Sequence, residues 1–129
     1  MQMTTFLKRV LLLDSASCLL MGIGLALGAG MLAEPFGLPS ALLEGAGLVL
    51  LPIGLFIGWL GTRSAAPAAF VYVVIVGNVG WTAESLWVAF GQPGITALGT
   101  AFVAIQAAAV LGLALLEYVG VRRASAMAA

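Results

Sequence analysis

The sequence predicts an all-α integral membrane protein, a four-helix bundle built from two helical hairpins. Of its 129 residues, 63% are hydrophobic and only 8% are charged, whereas an ordinary soluble domain has about a quarter charged residues. Four apolar segments are long enough to cross a bilayer, and short stretches containing proline or glycine join them. We therefore expect residues 1–129 to form one transmembrane domain whose outer surface contacts lipid.

A membrane-spanning helix needs about 20 mainly apolar residues. The segments that meet this length are residues 10–32, 41–61, 66–90 and 95–119. The joining stretches, AEPFGLPS, TRSAAP and GQPG, carry residues that break helices, so consecutive spans are expected to pack as antiparallel neighbours. A cleaved signal peptide is the alternative for the first span, but the apolar run exceeds a signal core of roughly 7 to 15 residues.

The basic residues all fall on one side of this layout. They are Lys8, Arg9, Arg63, Arg122 and Arg123. Because cytoplasmic loops carry the excess of Lys and Arg, both termini and the Arg63 loop are predicted to be cytoplasmic. The loops that contain Glu34 and Gln92 are then predicted to face outward.

An internal repeat is one interpretation of the two hairpins. A shift of 54 positions aligns LAEPFGLPSALLEGAGLV with LWVAFGQPGITALGTAFV, and both contain F-G-x-P followed by a glycine in the next span. Chance overlap in a chain rich in Gly, Ala and Leu is the alternative. In a true repeat, an axis along the membrane normal would relate the hairpins, because both begin on the same side.

Glycines are the predicted helix-packing residues, because small side chains let helix backbones approach closely inside a membrane. They are Gly24, Gly28, Gly54, Gly58, Gly77 and Gly80. Helical periodicity places Glu44 on the glycine side of the second span and Glu84 on the glycine side of the third. This location is favoured because a charged residue facing lipid costs about 2.5 to 3.5 kcal/mol.

A second polar strip on the third span holds Asn78, Thr82 and Ser85. Asn78 lies at the same predicted depth as Gln106 on the fourth span, so the two amides are expected to bond to each other. Their role is either structural hydrogen bonding or contact with a substrate or ion. Trp81 is predicted to pack in the bundle or to recognise a cation or ring, and its indole N–H needs a partner.

The acidic residues divide between the two halves of the membrane. Glu34, Glu44 and Glu84 belong to the outer half, where no Lys or Arg is available, so they should bind protons or attract an external cation. The alternative is that the first two are hydrated and only Glu84 is buried and hydrogen-bonded. In the inner half, two ion pairs are expected, one between Asp14 and Lys8 or Arg9 and one between Glu117 and Arg122 or Arg123.

The chain lacks the residues that several classes of function require. It has no histidine and one cysteine, which excludes histidine-based triads, the usual zinc sites and an internal disulfide. No catalytic residue, metal ligand or cofactor motif is identified, and no enzyme activity is predicted. The net charge is zero, which gives no indication of nucleic acid binding.

The layout resembles the small four-span proteins of bacterial inner membranes, a group defined by topology rather than by activity. The stretch FGLPSALLEGAGLVLLP carries the resemblance, which implies a multi-pass protein of that membrane. The first functional hypothesis is a structural or interaction protein, acting as a homo-oligomer or as an accessory subunit of a larger complex. The alternative is a small oligomeric transporter or channel, linked to protons or cations, in which Glu84 acts with Asn78 and Glu44.

Overall fold

The computed structural model describes residues 1–128 and consists of α-helices joined by short turns. The helices are α1 (Thr5–Phe36), α2 (Ser40–Gly61), α3 (Ala68–Gly91) and α4 (Ala97–Ala128). All four are long and apolar enough to cross a membrane, and many of their large apolar side chains are exposed, as lipid contact requires. This confirms the predicted all-α four-helix fold of a multi-pass membrane protein.

Helices α1 and α4 are longer than the predicted spans, because each continues through its basic segment. The Thr4 hydroxyl caps the start of α1 by accepting a hydrogen bond from the Leu7 amide at 3.2 Å. The helix ends at Gly37, which adopts φ 65°, a left-handed conformation that glycine adopts without strain. Pro39 and Pro67 stand immediately before α2 and α3, where a missing amide hydrogen costs no helical hydrogen bond.

The helices pack in the order α2, α1, α4, α3, while α2 and α3 hardly touch. The prediction that all consecutive spans are packed neighbours is therefore wrong for α2 and α3. The reason is that the glycine-rich side of α2 packs against α1. The bundle is left open along the edge between α2 and α3.

Close approach of α1 and α2 depends on glycines of α2. A Cβ added at Gly54 would lie 2.9 Å from Leu19, and one added at Gly58 would lie 2.6 Å from the Ser15 hydroxyl. The Ser15 hydroxyl also donates to the Gly54 carbonyl at 2.7 Å. Gly54 and Gly58 therefore lie in the contact between α1 and α2, where a packing role would place them.

The other predicted packing glycines make no such contact between helices. Gly24, Gly77 and Gly80 have open space where a Cβ would lie, and Gly28 would meet only Leu32 of its own helix. These four glycines make no close contact with another helix of the described chain, and a packing role for them stays a prediction. Helical phase explains this for α1, because the residue that points at α2 is Gly22 rather than Gly24.

One end of the bundle holds all the basic residues, and we call it the basic end. The first residues run beside the α2–α3 loop, where the Met3 amide donates to the Ser64 carbonyl at 2.9 Å and the Ala66 amide to the Met1 carbonyl at 3.0 Å. The Ser125 hydroxyl near the end of α4 contacts the Met1 sulfur at 3.5 Å. The first residues, the last described turns of α4 and the Arg63 loop therefore lie together, as the predicted orientation requires.

The two turns at the opposite end touch each other but differ in shape. The Thr96 amide donates to the Phe36 carbonyl at 3.0 Å, which ties the second turn to the end of α1. The left-handed residue is Gly37 in the first turn and Gly94 in the second, and these positions do not correspond under the 54-residue shift. The shared F-G-x-P motif thus does not form one repeated turn.

Candidate functional site: a buried carboxyl pair

Three helices bring two acids and an amide together in the interior. The side-chain nitrogen of Asn78 on α3 donates to Asp14 Oδ2 on α1 at 2.7 Å and to Glu117 Oε1 on α4 at 2.9 Å. The three side chains are 7%, 1% and 0% exposed, respectively. Because one nitrogen serves both acceptors, the carboxyl groups are held side by side. We call these three residues the carboxyl cluster.

The ion pairs predicted for Asp14 and Glu117 are wrong. Arg9 and Asp14 are five positions apart, as are Glu117 and Arg122, which places each basic residue about 140° around the helix from its acid. Helical neighbours that pair are three or four positions apart. Each acid therefore points into the bundle, about 8 Å deeper than the nearest arginine.

The arginines of α4 make other contacts at the surface. Arg122 lies over the ring of Tyr118 at 5.7 Å and donates to its hydroxyl at 3.1 Å. Arg123 lies over the ring of Phe6 at 5.9 Å. Their positive charges remain at the basic end and outside the carboxyl cluster.

The remaining oxygens of the cluster have little to bond to. Asp14 Oδ1 accepts a hydrogen bond from the Cys18 thiol at 3.6 Å, and a thiol is a weak donor. Glu117 Oε2 is buried and has no hydrogen-bond partner among the described residues. Two acids thus share one neutral amide and one thiol, with no lysine or arginine in contact.

The position of Asn78 follows from the polar strip on α3. Asn78, Thr82 and Ser85 are all buried, which confirms that this strip faces the interior as the polar seam of the bundle. The Thr82 hydroxyl donates to the Asn78 carbonyl at 2.9 Å and approaches the Ala107 carbonyl of α4 at 3.5 Å. Asn78 therefore lies on the face of α3 that points at α1 and α4.

The predicted hydrogen bond between Asn78 and Gln106 is wrong. Gln106 Oε1 instead accepts from the Trp81 indole nitrogen at 3.0 Å, and its amide nitrogen donates to the Val103 carbonyl at 2.9 Å. Trp81 thus has the partner that its indole N–H was expected to need. Equal depth brought both amides to the middle of the bundle, but helix rotation gave them different partners.

A cavity of about 460 Å³ lies beside the carboxyl cluster, at the open edge between α2 and α3. Its wall is mainly apolar and includes Ile53 and Phe56 of α2 and Val73 of α3. Asn78, which bonds to both acids, and Cys18, which bonds to Asp14, line it as well. The cavity therefore reaches the polar groups that hold the two acids.

Glu84 and Glu44 lie away from the carboxyl cluster, and both are exposed. Glu84 borders a smaller cavity of about 140 Å³ near the opposite end. On the glycine face where Glu84 was predicted to lie, a Cβ at Gly77 or Gly80 would meet no atom within 4 Å. A role for Glu84 or Glu44 in binding an ion or substrate stays a prediction.

Sequence reasoning missed Asp14 and Glu117 as site residues. The sequence did contain a signal for them. Each acid lies five positions from its nearest arginine, a spacing that prevents an ion pair on a helix and leaves the acid to face the interior. Among the described residues, no group of three or more His, Cys, Asp or Glu side chains could hold a metal ion. No protein family, curated protein or solved structure matches the chain.

Proposed function

We propose that the protein is an interaction subunit of a larger membrane complex, and that a partner helix covers the α3 face that carries Gly77, Gly80 and Glu84. The exposure of Glu84 carries the proposal. This residue lies about 10 Å inside the end of α3 at Gly91. A carboxylate that faces lipid at that depth is unfavourable, and a partner that covers it would remove this cost.

The surroundings of Glu84 suit a closely packed helix. A Cβ at Gly77 or at Gly80 would meet no atom within 4 Å, so a partner backbone has room to approach. Glycine faces of this kind are typical of helix contacts in membranes. The contacts between α1 and α2 at Gly54 and Gly58 illustrate this packing within the same chain.

The charge distribution favours a different protein over a second copy as the partner. All five basic residues of the chain belong to the segments at the basic end, so another copy in the same orientation brings no lysine or arginine to Glu84. A partner with a basic residue or hydrogen-bond donors at this depth would compensate the carboxylate. We therefore favour the accessory subunit over the homo-oligomer.

Photo-crosslinking in native membranes tests this proposal. A photoreactive residue placed at Gly80 should form one discrete product with a second protein, whereas one placed at Leu27, which is 83% exposed on α1, should react with lipid. A second substitution, Glu84→Lys, should abolish the discrete product. The partner's basic residue or donors would then face a lysine, which they repel, in place of the carboxylate that they compensate. Glu34→Lys, at an exposed acid near the end of α1, is the matched control and should leave the product intact.

Two results would overturn the proposal. Equal, diffuse labelling from Gly80 and Leu27 would mean that lipid covers the α3 face. A product of two copies of this chain would support self-assembly in place of an accessory role.

A small transporter is the second candidate, favoured by the cavity of about 460 Å³ that reaches Asn78. The carboxyl cluster rather than Glu84 would then couple transport to protons. Proteoliposomes that contain the purified chain should in that case show proton-dependent solute uptake, and Asn78→Ala should reduce it. Uptake equal to that of empty liposomes would exclude this candidate for the chain acting alone.

A further inference from the structure

We propose that Asp14 and Glu117 form a proton-binding site in which the two carboxyl groups share one proton and Asn78 holds them in place. Binding takes one H⁺ from water onto one carboxylate and changes the charge of the pair from −2 to −1. The proton then lies in a hydrogen bond between the two groups. This inference does not depend on whether α3 has a partner helix.

Geometry is the first support for a shared proton. The two carboxyl groups come from helices α1 and α4 and accept hydrogen bonds from the same Asn78 nitrogen, at 2.7 and 2.9 Å. Two ionised carboxylates would repel at this separation, as in other sites where paired carboxyl groups cannot both ionise. One protonated and one ionised group instead attract, and the ionised group still accepts from Asn78.

Unsatisfied bonding capacity is the second support. Glu117 is completely buried, and its Oε2 atom has no partner among the described residues. A buried carboxylate oxygen without a donor is costly. A proton on the pair supplies the one donor that the cluster lacks.

Within residues 1–128, no basic side chain on the adjoining helices contacts Asp14 or Glu117. On α1 the titratable neighbours are Cys18, which donates to Asp14, and the half-buried Lys8 and exposed Arg9 at the basic end. On α4 the nearby cations are the exposed Arg122 and Arg123. Helix α3 presents the neutral Asn78, and α2 has no basic residue and only Glu44, in the opposite half.

The orientation of the Asn78 amide favours a proton over a metal ion as the ligand of the two carboxyl groups. A hard cation such as Na⁺ or Ca²⁺ would be bound by oxygen atoms, and the Asn78 carbonyl oxygen would then face it. In this arrangement the amide nitrogen points at both carboxyl groups. An N–H donor suits a pair of carboxyl groups that carries negative charge and holds no metal ion.

Infrared spectroscopy of the purified chain in lipid nanodiscs tests the proposal directly. At neutral pH, the wild-type spectrum should contain the C=O stretch of one protonated carboxyl group, shifted in D₂O. Glu117→Gln and Asp14→Asn should each remove this band, because the new amide supplies a donor and the remaining acid ionises. Either variant suffices if the other does not fold, and Glu34→Gln, at an exposed acid, should keep the band.

Thermal unfolding at different pH values gives a second readout. Wild-type unfolding temperature should fall as pH rises above about 4, where exposed carboxyl groups titrate, because the folded state holds a proton that the unfolded chain releases. Glu117→Gln should lose this dependence, while Glu34→Gln should retain it.

Three outcomes would overturn the shared proton. The first is a wild-type spectrum without a protonated carboxyl band, and the second is a band that persists in both substituted proteins. The third is a rise in unfolding temperature on adding NaCl or CaCl₂ at constant ionic strength, with loss of the band, which would identify a cation site.

Discussion

Gly22 and Gly47 meet where α1 crosses α2, and a Cβ on Gly47 would lie 2.7 Å from the Gly22 carbonyl oxygen. The same Cβ would lie 2.5 Å from the Ala26 backbone nitrogen, and backbone atoms move less readily than side chains. We expect Gly47→Ala to push the helices apart and to lower the free energy of unfolding by about 1 to 3 kcal/mol, as overpacking does.

The matched control for this crossing is Gly45→Ala, two positions away, where a Cβ meets open space. That substitution should leave stability unchanged or raise it slightly, because alanine favours helix more than glycine does. Unfolding in mixed detergent micelles measures both variants. Equal stability of the two proteins would contradict the close crossing.

Asn78→Ala should destabilise the protein more than a typical substitution of a polar residue in the bundle. It removes the donor to Asp14 and Glu117 together and leaves two buried acceptors unpaired, at a cost of about 1 to 3 kcal/mol. Gln106→Ala removes the bond to Trp81, and intramembrane hydrogen bonds average about 0.6 kcal/mol. Thermal unfolding of the two variants in one detergent compares them, and a larger effect at Gln106 would contradict the central role of Asn78.

Thr96→Ala should loosen the contact between the two turns opposite the basic end. The Thr96 hydroxyl donates to the Pro35 carbonyl at 2.7 Å and accepts from the Gly99 amide at 3.0 Å. Loss of a helix-capping hydroxyl costs about 1 kcal/mol. Thr96→Ser keeps the hydroxyl and should restore most of the stability, so unfolding measurements in which serine behaves like alanine would refute the role of this hydroxyl.

Cysteine labelling in a Cys18→Ser background tests the predicted orientation. Gln92→Cys should react with a membrane-impermeant maleimide from outside the cell, and Ser64→Cys only after the membrane is opened. The reason is that Ser64 lies at the basic end, which the positive-inside rule assigns to the cytoplasm. The reverse pattern would invert the orientation, and labelling of both positions from one side would refute the four-span topology.

Much of the fold was predictable because lipid imposes simple constraints on a chain. Length and hydropathy located all four helices, although the sequence does not show where α1 and α4 end, because helices continue past the membrane surface. Periodicity also placed the strip of Asn78, Thr82 and Ser85 correctly. A polar strip on an apolar helix has to face other helices, so this prediction needed no knowledge of the neighbours.

The partners within the bundle were not predictable in the same way. Asn78 was expected to meet Gln106 from depth alone, but the rotation of α3 directs its side chain to Asp14 of α1 and Glu117 of α4. The glycines show the same limit. Gly54 and Gly58 pack against α1, whereas Gly77 and Gly80, which are spaced for close packing as well, have open space where a Cβ would lie.

The sequence by itself determined the membrane-spanning helices, the side of the bundle that carries the basic residues and the polar face of α3. These follow from the transfer of side chains into lipid, which depends on local composition and helical period. Only the tertiary structure decided that the carboxyl cluster forms and that α2 and α3 leave a cavity between them. Those features depend on how each helix rotates against its neighbours, and that rotation is set by contacts between residues far apart in the chain.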